Sequence, residues 1–554
     1  MADRQHFVLR IEGMTCEGCA RHVESALRAV KGVERAEVGD WKEGTASVVA
    51  GPGVSEKALT EAVVKAGYRA VVENAKPLRP EARVPHRSDS DFDLMVVGGG
   101  SAAFAAAIKA SELGARAAIL EQGTIGGTCV NVGCVPSKTL IKAAEICYHS
   151  AYSTFKGFDT CPPPREWQMV VRQKDQLVED LRKEKYENVL KAYTNVELIR
   201  GRAQFTGKRD IQVNGRTYRA GKVVVATGSS NWKPPITGLG EAGFIDSTAA
   251  LSLESLPQSL IVIGGGSIGL ELGQLFQRFG VRVTLIEIAD RIAAAEEPEI
   301  SDALAKYLSE ERMRVLTGVK IERIQRTGTE YHVRIQAGGK SETVTAEQLL
   351  VSTGRRANTS GFGLDKAGLE LGRKGEIKVD RHLRTTNPDI YAAGDVTGDP
   401  MFVYVAAYAG SLAAENALNG AGKVYDLSAL PRVTFTDPQI ASVGLTEQQA
   451  RDAGLEVETA VLPLQHVPRA QASRNLKGLF KLIRERGTDR LIGAHVLAAE
   501  AGEVIQEATL AIRFKLTTRD IINTYHPYLT MVEGMKLTAL TFSKNVEHLS
   551  CCAA

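Results

Sequence analysis

Two glycine-rich turns with matching surroundings constrain the fold of this 554-residue chain more than any other feature. Each follows a short apolar run, precedes a helical stretch, and is followed by a second apolar run that ends in a glutamate 23 residues beyond the first glycine. Such glycines let the backbone approach a pyrophosphate at a helix N-terminus, and the acid accepts a hydrogen bond from a ribose hydroxyl. The positions are Gly98, Gly100, Ala103 and Glu121 in the first turn, and Gly264, Gly266, Gly269 and Glu287 in the second.

Two complete fingerprints predict two bound dinucleotides, which a simple dehydrogenase does not need. The economical interpretation is FAD in the first fold and a nicotinamide nucleotide in the second. The alternative is a pair of structural relics without ligands. Further strand-to-turn segments of the kind that flavin proteins use support the flavin, and they place cofactor contacts at Thr227, Gly228, Gly354 and Asp395.

A cysteine pair follows the first fingerprint directly. Cys129 and Cys134 lie five residues apart, after Gly127 and Thr128, and Pro136 suits the first turn of a following helix. We therefore predict a redox-active pair over a flavin. The thiolate of Cys134, nearer the helix start, would face the flavin, and Cys129 would attack substrate. The alternative is two packed core cysteines.

The N-terminal segment predicts a separate small domain over residues 1–74, followed by a charged, proline-containing linker over residues 75–91. Its apolar spacing predicts the order βαββαβ, a ferredoxin-like unit. The predicted elements are strands at 6–12, 33–38, 45–50 and 69–73, and helices at 19–30 and 54–67.

Two further cysteines lie between the first strand and helix of that domain. Cys16 and Cys19 straddle a helix start in the segment Gly-Met-Thr-Cys-Glu-Gly-Cys, where two thiolates can hold one soft cation nearly linearly. The segment resembles the heavy-metal-associated domain. A chance pair or half of a zinc site is the alternative, but no second cysteine or histidine pair lies nearby.

Length and charge limit the remaining possibilities. At about 150 residues per domain, the chain should hold about three to four domains. Lys+Arg 68 against Asp+Glu 65 leaves a net charge of +3, which argues against nucleic-acid binding. There is no apolar run of about 18 residues and no secretory signal. Eight sparse cysteines indicate metal or redox chemistry in a reducing, cytoplasmic setting.

With these motifs, residues 92–550 resemble the class I pyridine nucleotide-disulfide oxidoreductases, such as lipoamide dehydrogenase and glutathione reductase. The resemblance implies an α/β homodimer with two Rossmann-like domains and an α+β interface domain. It also implies that Lys138 contacts the flavin and pairs with Glu271, and that Asp395 is the flavin-binding acid. The implied regions are FAD-binding 92–240, NAD(P)-binding 241–358, central 359–430 and dimerisation 431–554.

The sequence departs from the thiol-reducing members of that family at the His526-Pro527 segment. Those members carry a glutamate five residues after the histidine, and the two side chains relay protons to a dithiol substrate. Here the fifth position is Met531, so a proton-relay role and a packing role for His526 both stay open.

The C-terminal tail places Cys551 and Cys552 side by side. Adjacent cysteines rarely form a disulfide with each other, whereas two soft ligands on a tail suit the transfer of a thiophilic cation. With the other cysteine sites, the tail resembles that of the mercuric ion reductases, in which Tyr186 and Tyr528 would be active-site tyrosines. The alternative for the tail is an incidental pair. Cys147 and Cys161 receive no role.

These resemblances predict reduction of Hg(II) to Hg(0) by NADPH or NADH through FAD. Hg(II) would arrive as a dithiol complex, and the N-terminal domain could hand it to the catalytic core. The rivals are a disulfide reductase of the same fold and a metal-trafficking protein. Glu287 favours NADH, because a carboxylate repels a 2′-phosphate, while Arg291 leaves NADPH open.

Overall fold

The computed structural model describes residues 4–39, 41–42, 44–51, 53–78, 89–157 and 166–546. They form two units, one of residues within 1–87 together with 112–115, and one of residues within 88–111 and from 116 onward. No helix in the described ranges is long and apolar enough to cross a bilayer.

The N-terminal unit is a four-stranded antiparallel sheet with two helices, which confirms the predicted βαββαβ order. Phe7, Leu27 and Leu59 are fully or almost fully buried in its core, where the apolar faces of sheet and helices meet. The strands lie in the order β2-β3-β1-β4. The elements are β1 (Arg4–Glu12), α1 (Glu17–Arg28), β2 (Val33–Val38), β3 (Thr45–Ala50), α2 (Glu56–Lys65) and β4 (Arg69–Leu78).

The predicted start of the linker at residue 75 is wrong. Strand β4 continues to Leu78 and pairs with β1, with Ala75 opposite Phe7 and Leu78 opposite Arg4. Because β4 is an edge strand, it tolerates Pro77, which looked like a linker signal in the sequence. Residues 79–88 of the predicted linker lie outside the described ranges.

The second unit begins with the first dinucleotide fold. Its central strands are parallel, and residues 94–97 are buried, as expected for strands covered on both faces. The elements are β5 (Phe92–Val97), α3 (Ser101–Glu112), β6 (Ala117–Glu121), α4 (Gly127–Val132), α5 (Cys134–Ala151), α6 (Trp167–Arg182), a π-helical turn (Lys183–Glu187), α7 (Asn188–Ala192), β7 (Val196–Arg200), β8 (Gln204–Phe205), β9 (Asp210–Val213), β10 (Arg216–Val225) and β11 (Ser229–Asn231).

The second dinucleotide fold is a parallel sheet in the order β14-β13-β12-β18, joined to an antiparallel meander β15-β16-β17. This is the doubly wound order that brings a nucleotide to the carboxyl ends of the strands. The elements are α8 (Leu239–Ala242), α9 (Ser247–Ala250), β12 (Ser259–Ile263), α10 (Ser267–Arg278), β13 (Arg282–Ile286), α11 (Pro298–Glu310), β14 (Arg314–Leu316), β15 (Lys320–Thr327), β16 (Glu330–Ala337), β17 (Lys340–Ala346), β18 (Gln348–Val351) and β19 (Arg355–Ala357).

The central segment returns to the first sheet. Strand β20 (Ile390–Ala392) pairs in parallel with β10, so the first dinucleotide fold is not contiguous in sequence and extends beyond the predicted range 92–240. A 3-10 turn (Asp395–Thr397) and helix α12 (Val403–Asn419) follow.

The C-terminal part is a five-stranded antiparallel sheet in the order β21-β22-β25-β24-β23. Helix α15 packs on β22 and β25. The elements are β21 (Arg432–Thr434), β22 (Gln439–Gly444), α13 (Glu447–Asp452), β23 (Val457–Pro463), a 3-10 turn (Leu464–His466), α14 (Pro468–Ala472), β24 (Leu479–Glu485), β25 (Leu491–Ala498), α15 (Ala501–Arg513), α16 (Thr518–Asn523) and α17 (Glu533–Leu540). The two Rossmann-like folds, the α+β C-terminal part and the ferredoxin-like unit confirm the predicted fold class.

Candidate redox-active site

The first glycine turn forms a cradle that a side chain would fill. A Cβ on Gly98 would lie 2.3 Å from the Ala226 carbonyl oxygen, and a Cβ on Gly127 would lie 2.6 Å from the Gly100 Cα. Both Gly98 and Gly127 have positive φ, of 120° and 65°. Glu121 at the end of β6 accepts a hydrogen bond from the Gly123 amide at 2.6 Å. This close backbone approach fits a dinucleotide pyrophosphate at the start of α3.

The second turn repeats this construction. A Cβ on Gly269 would lie 1.9 Å from the Gly264 carbonyl oxygen, so the third glycine allows helix α10 to pack close to the turn. A Cβ on Gly266, at the N-terminus of α10, would meet nothing within 4 Å, which leaves open space where the pyrophosphate of a nicotinamide nucleotide fits. Both turns therefore suit the groups that the sequence predicts for them.

Asp395 lies in a polar network next to the first fold. Its Oδ2 accepts a hydrogen bond from the Ser229 hydroxyl at 2.6 Å, and Arg355 Nε donates to the same hydroxyl at 2.7 Å. Thr227 Oγ1 donates to the Asn358 carbonyl at 2.7 Å. Both predicted turn glycines have left-handed backbone conformations, Gly228 with φ 70° and Gly354 with φ 117°. The predicted residues of this region thus share one neighbourhood.

The two cysteines of the predicted redox pair lie on consecutive helices. Cys129 is in α4, and Cys134 is the first residue of α5, directly after Gly133. Both are free thiols in the structure, and their side chains are hydrogen-bonded to each other. The helix N-terminus favours a negative charge on Cys134, as the sequence predicted.

The electrostatic surroundings separate the two thiols. The hydrogen bond with Cys129 and, after it, the charge of Lys138 lower the pKa of Cys134 to about 7, although burial opposes them. The same hydrogen bond, together with burial, raises the pKa of Cys129. The surroundings therefore favour ionisation of Cys134 before that of Cys129.

The predicted ion pair between Lys138 and Glu271 is present. Lys138 Nζ lies 2.6 Å from Glu271 Oε2, and Glu271 is 5% exposed. The other carboxylate oxygen of Glu271 accepts a hydrogen bond from the Phe435 amide at 2.9 Å, and the ammonium lies 4.9 Å from the centre of the Phe435 ring. Lys138 is thus held in one position, one helical turn beyond Cys134.

Tyr186 lies near the thiol pair, on a π-helical turn. The π-helical turn Lys183–Glu187 lies between α6 and α7, and such turns often occur at functional sites. The Tyr186 ring packs edge-on against Phe104 at 4.7 Å, and its hydroxyl shares a hydrogen bond with Ser101. Burial raises the pKa of Tyr186, with smaller contributions from the two thiols.

Two residues that sequence reasoning missed, Asn131 and Arg182, hold the turn that leads into α4 and Cys129. Asn131 Nδ2 donates to the carbonyls of Ile125 and Gly127, both at 2.9 Å. Arg182 Nη1 donates to Asn131 Oδ1 at 3.2 Å, which ties the loop to α6 just before the π-helical turn. An asparagine between two cysteines was the available signal, since its amide can bond to local carbonyls.

The N-terminal unit presents the second predicted thiol pair. Cys16 and Cys19 have sulfur atoms 3.5 Å apart at the start of α1. A backbone hydrogen bond at Thr15, and then hydrogen bonds with the side chains of Tyr68, Thr15 and Cys16, lower the pKa of Cys19 to about 6. An ionised thiolate beside a second sulfur atom suits a soft metal cation.

The structure does not bring every predicted residue to the thiol pair. Tyr528 is 57% exposed in the C-terminal part. Cys551, Cys552 and Cys161 lie outside the described residues. Cys147, which received no role, is buried, and its thiol donates to the Arg278 carbonyl at 3.7 Å.

Family models match almost the whole chain. Pyridine nucleotide-disulphide oxidoreductase matches residues 92–410, its dimerisation domain matches 430–539, and the heavy-metal-associated domain matches 8–69. The chain therefore belongs to the pyridine nucleotide-disulphide oxidoreductase family, whose members use FAD and NAD(P)H. The match to the dimerisation domain implies a homodimer.

Within that family, the chain is similar to curated proteins named mercuric reductase. It is 44% identical to one from Bacillus cereus, covering 98% of this chain and 86% of that protein, and 44% identical to one from Staphylococcus aureus, covering 99% of both. Among solved structures, the HOCl-induced flavoprotein disulfide reductase RclA from Escherichia coli superposes with a TM-score of 0.73 at 28% identity. That match covers 82% of this chain and 100% of the other.

Proposed function

We propose that this protein reduces Hg(II) to Hg(0) with electrons from NAD(P)H, and so detoxifies mercury. The observation that carries the proposal is the pair Cys129 and Cys134, poised as thiol and thiolate beside Lys138. It occurs in a chain that is similar to mercuric reductases over nearly its whole length. The reaction belongs in the cytoplasm, because reduced thiols persist there.

The thiol pair binds the substrate. Hg(II) is a soft, thiophilic cation, and two thiolates displace its small-thiol ligands by exchange. Cys134 loses its proton more easily than Cys129, and Cys129 gives up its proton as its sulfur bonds to the metal. When bound, FAD supplies the two electrons that NAD(P)H provides. Uncharged Hg(0) then leaves because it has almost no affinity for thiolates.

The neighbouring residues hold charge and geometry. Lys138 balances the negative charge of Cys134, and Glu271 keeps the ammonium in place. The Tyr186 hydroxyl acts as a hydrogen-bond donor to thiolates or ligands during transfer. Tyr528 takes the same part. By analogy with the family, Cys551 and Cys552 of the partner subunit take Hg(II) by thiolate exchange and pass it to Cys129 and Cys134.

The N-terminal domain acts as a metal-capturing accessory. Cys16 and Cys19, with their sulfur atoms 3.5 Å apart, bind Hg(II) from dithiol complexes and hand it on to the catalytic core. The lowered pKa of Cys19 keeps this site competent at neutral pH.

One observation favours a second candidate, a disulfide reductase of the same fold. His526 has a carboxylate partner after all, because Glu507 of α15 lies 2.9 Å from its Nε2. The test is NAD(P)H oxidation by the purified protein with Hg(II), with lipoamide and with glutathione disulfide. The proposal predicts turnover with Hg(II) and little with either disulfide, and the reverse order would overturn it.

A further inference from the structure

The acid at the end of β13 is fixed by the backbone on both sides. Glu287 Oε2 accepts a hydrogen bond from the Gly265 amide at 2.6 Å, and Oε1 accepts one from the Ala289 amide at 2.8 Å. A carboxylate has about four acceptor sites, so each oxygen keeps a lone pair for a further donor. Two free acceptor sites at the edge of the glycine turn match the two hydroxyls of an adenosine ribose.

A 2′-phosphate at the same position would meet negative charge. Turning Glu287 away would break two backbone hydrogen bonds. The next charged residue, Asp290, is also negative. Its carboxylate points toward Gly318, with Oδ1 3.4 Å from where a Cβ on that glycine would lie. The chain between Glu287 and Asp290 offers only Ile288 and Ala289. NADP-binding folds instead place a cation near this strand end.

Arg291, the cation that the sequence left as an alternative, is engaged elsewhere. Its Nη2 donates to the carbonyls of Ala294 at 3.0 Å and Glu296 at 3.2 Å, in the loop that leads into α11. Its Nε is buried. Moving the guanidinium to a nucleotide phosphate would abandon both carbonyls. A second cation near this strand end is Lys320, at the start of β15, one residue beyond Val319, whose amide lies 3.4 Å from the Glu287 carbonyl.

We propose that Glu287 makes this protein selective for NADH over NADPH. The inference rests on the nicotinamide use in the proposed function, but not on mercury as the substrate. Arg291 organises the loop before α11 and takes no part in nucleotide selection. Glu287 is therefore a specificity-determining residue, which accepts hydrogen bonds from the two ribose hydroxyls of NADH and repels the 2′-phosphate of NADPH.

The test uses the FAD-loaded full chain without any metal. Stopped-flow absorbance follows flavin bleaching by NADH and by NADPH, and calorimetry measures the binding of NAD⁺ and NADP⁺ to the oxidised enzyme. We expect NADH to be favoured by about tenfold or more, equivalent to about 1.4 kcal/mol. Glu287→Ala should lower that ratio by about tenfold or more, because it removes a ribose contact and a like-charge clash together.

Arg291→Ala and Lys320→Ala are the matched controls, and neither should change the ratio of the two nucleotides. The ratio is insensitive to partial loss of folded protein, since both nucleotides are measured on the same folded fraction. A wild-type preference for NADPH, or loss of NADPH binding in either control variant, overturns the selectivity alone. If neither nucleotide bleaches the flavin, both the selectivity and the proposed function are overturned. If NADH bleaches the flavin but Hg(II) is not reduced, only the proposed function is overturned.

Discussion

His526 and Glu507 form a partly buried ion pair between the loop that carries Tyr528 and helix α15. His526 Nε2 lies 2.9 Å from Glu507 Oε1, and Nδ1 lies 3.0 Å from the Thr524 carbonyl oxygen. Both ring nitrogens face acceptors, and a protonated imidazole donates to both at once. The hydrogen bond with Glu507 raises the pKa of His526, against the effect of burial. The pair therefore holds the loop against α15, and we call it the His526–Glu507 clamp.

The first prediction concerns the pH dependence of this clamp. A histidine whose folded pKa lies above its unfolded value of about 6.5 stabilises the protein fully below that pH and loses the contribution as pH rises through the folded pKa. Glu507→Gln should therefore lower the free energy of unfolding by about 2 kcal/mol at pH 6 and by less at pH 9. Urea unfolding at fixed protein concentration measures both values.

The control for this experiment is Glu503→Gln, on an exposed position of the same helix. It should leave stability unchanged at both pH values. An equal destabilisation by Glu507→Gln at pH 6 and pH 9 would show that the carboxylate contributes only packing.

The second prediction separates the two cysteines of the redox pair. Cys134→Ala should abolish the thiolate-to-flavin charge-transfer absorbance of the two-electron-reduced enzyme at every pH. Cys129→Ala should retain it but shift it to higher pH, because the hydrogen bond that most lowers the pKa of Cys134 is lost. In the wild type, this absorbance should fall as pH drops below about 7, where Cys134 becomes protonated. Both variants should lose on the order of 10³-fold in Hg(II) turnover.

Cys147→Ala is the matched control. Cys147 is buried and has no assigned redox role, so this variant should keep both the charge-transfer absorbance and the Hg(II) turnover. A long-wavelength band that survives in Cys134→Ala would reverse the assignment of the two thiols.

The third prediction concerns Tyr186. Tyr186→Phe keeps the ring contact with Phe104 and removes the hydroxyl that bonds to Ser101, so FAD content should be retained and stability should fall by only about 1 kcal/mol. The value of kcat/KM for Hg(II) should nevertheless drop by about tenfold or more, because a donor to the thiolates is lost. Unchanged steady-state kinetics would leave Tyr186 a packing role only.

The fourth prediction is that the N-terminal domain is separable. A chain beginning at Asp91 keeps both dinucleotide folds and the thiol pair, and should bind FAD and reduce Hg(II) supplied with excess small thiol. Flavin absorbance and turnover measure this directly. Loss of FAD on truncation would show instead that the domain is needed to stabilise the core.

Local backbone chemistry made much of this site predictable. The glycine fingerprints predicted the two tight turns. In each turn the backbone packs so closely that a Cβ at Gly98 or Gly269 would collide with a carbonyl oxygen. The sequence also predicted that Cys134 begins a helix, which the structure shows. The sequence carried these signals because each motif is a short run of residues, although the carbonyl that Gly98 approaches belongs to the distant Ala226.

What stayed hidden depends on long-range packing. In the thiol-reducing members of the family, the carboxylate partner of the histidine lies at the position of Met531, which is buried here. The carboxylate that contacts His526 in this structure comes instead from Glu507, on α15. The pairing of residues 75–78 with β1 was likewise invisible, since it needs a partner strand distant in sequence. The engagement of Arg291 with two loop carbonyls could be found only in the folded chain.

The most direct test of the central claim is the release of elemental mercury. Purified protein receives NADH or NADPH and Hg(II) bound to a small dithiol, and cold-vapour atomic absorption measures volatile mercury while absorbance follows nucleotide oxidation. The account predicts one Hg(0) released for each nucleotide oxidised, because both are two-electron changes, and no release from Cys129→Ala. Nucleotide oxidation without mercury vapour, or retention of all Hg(II) on the protein, would contradict it.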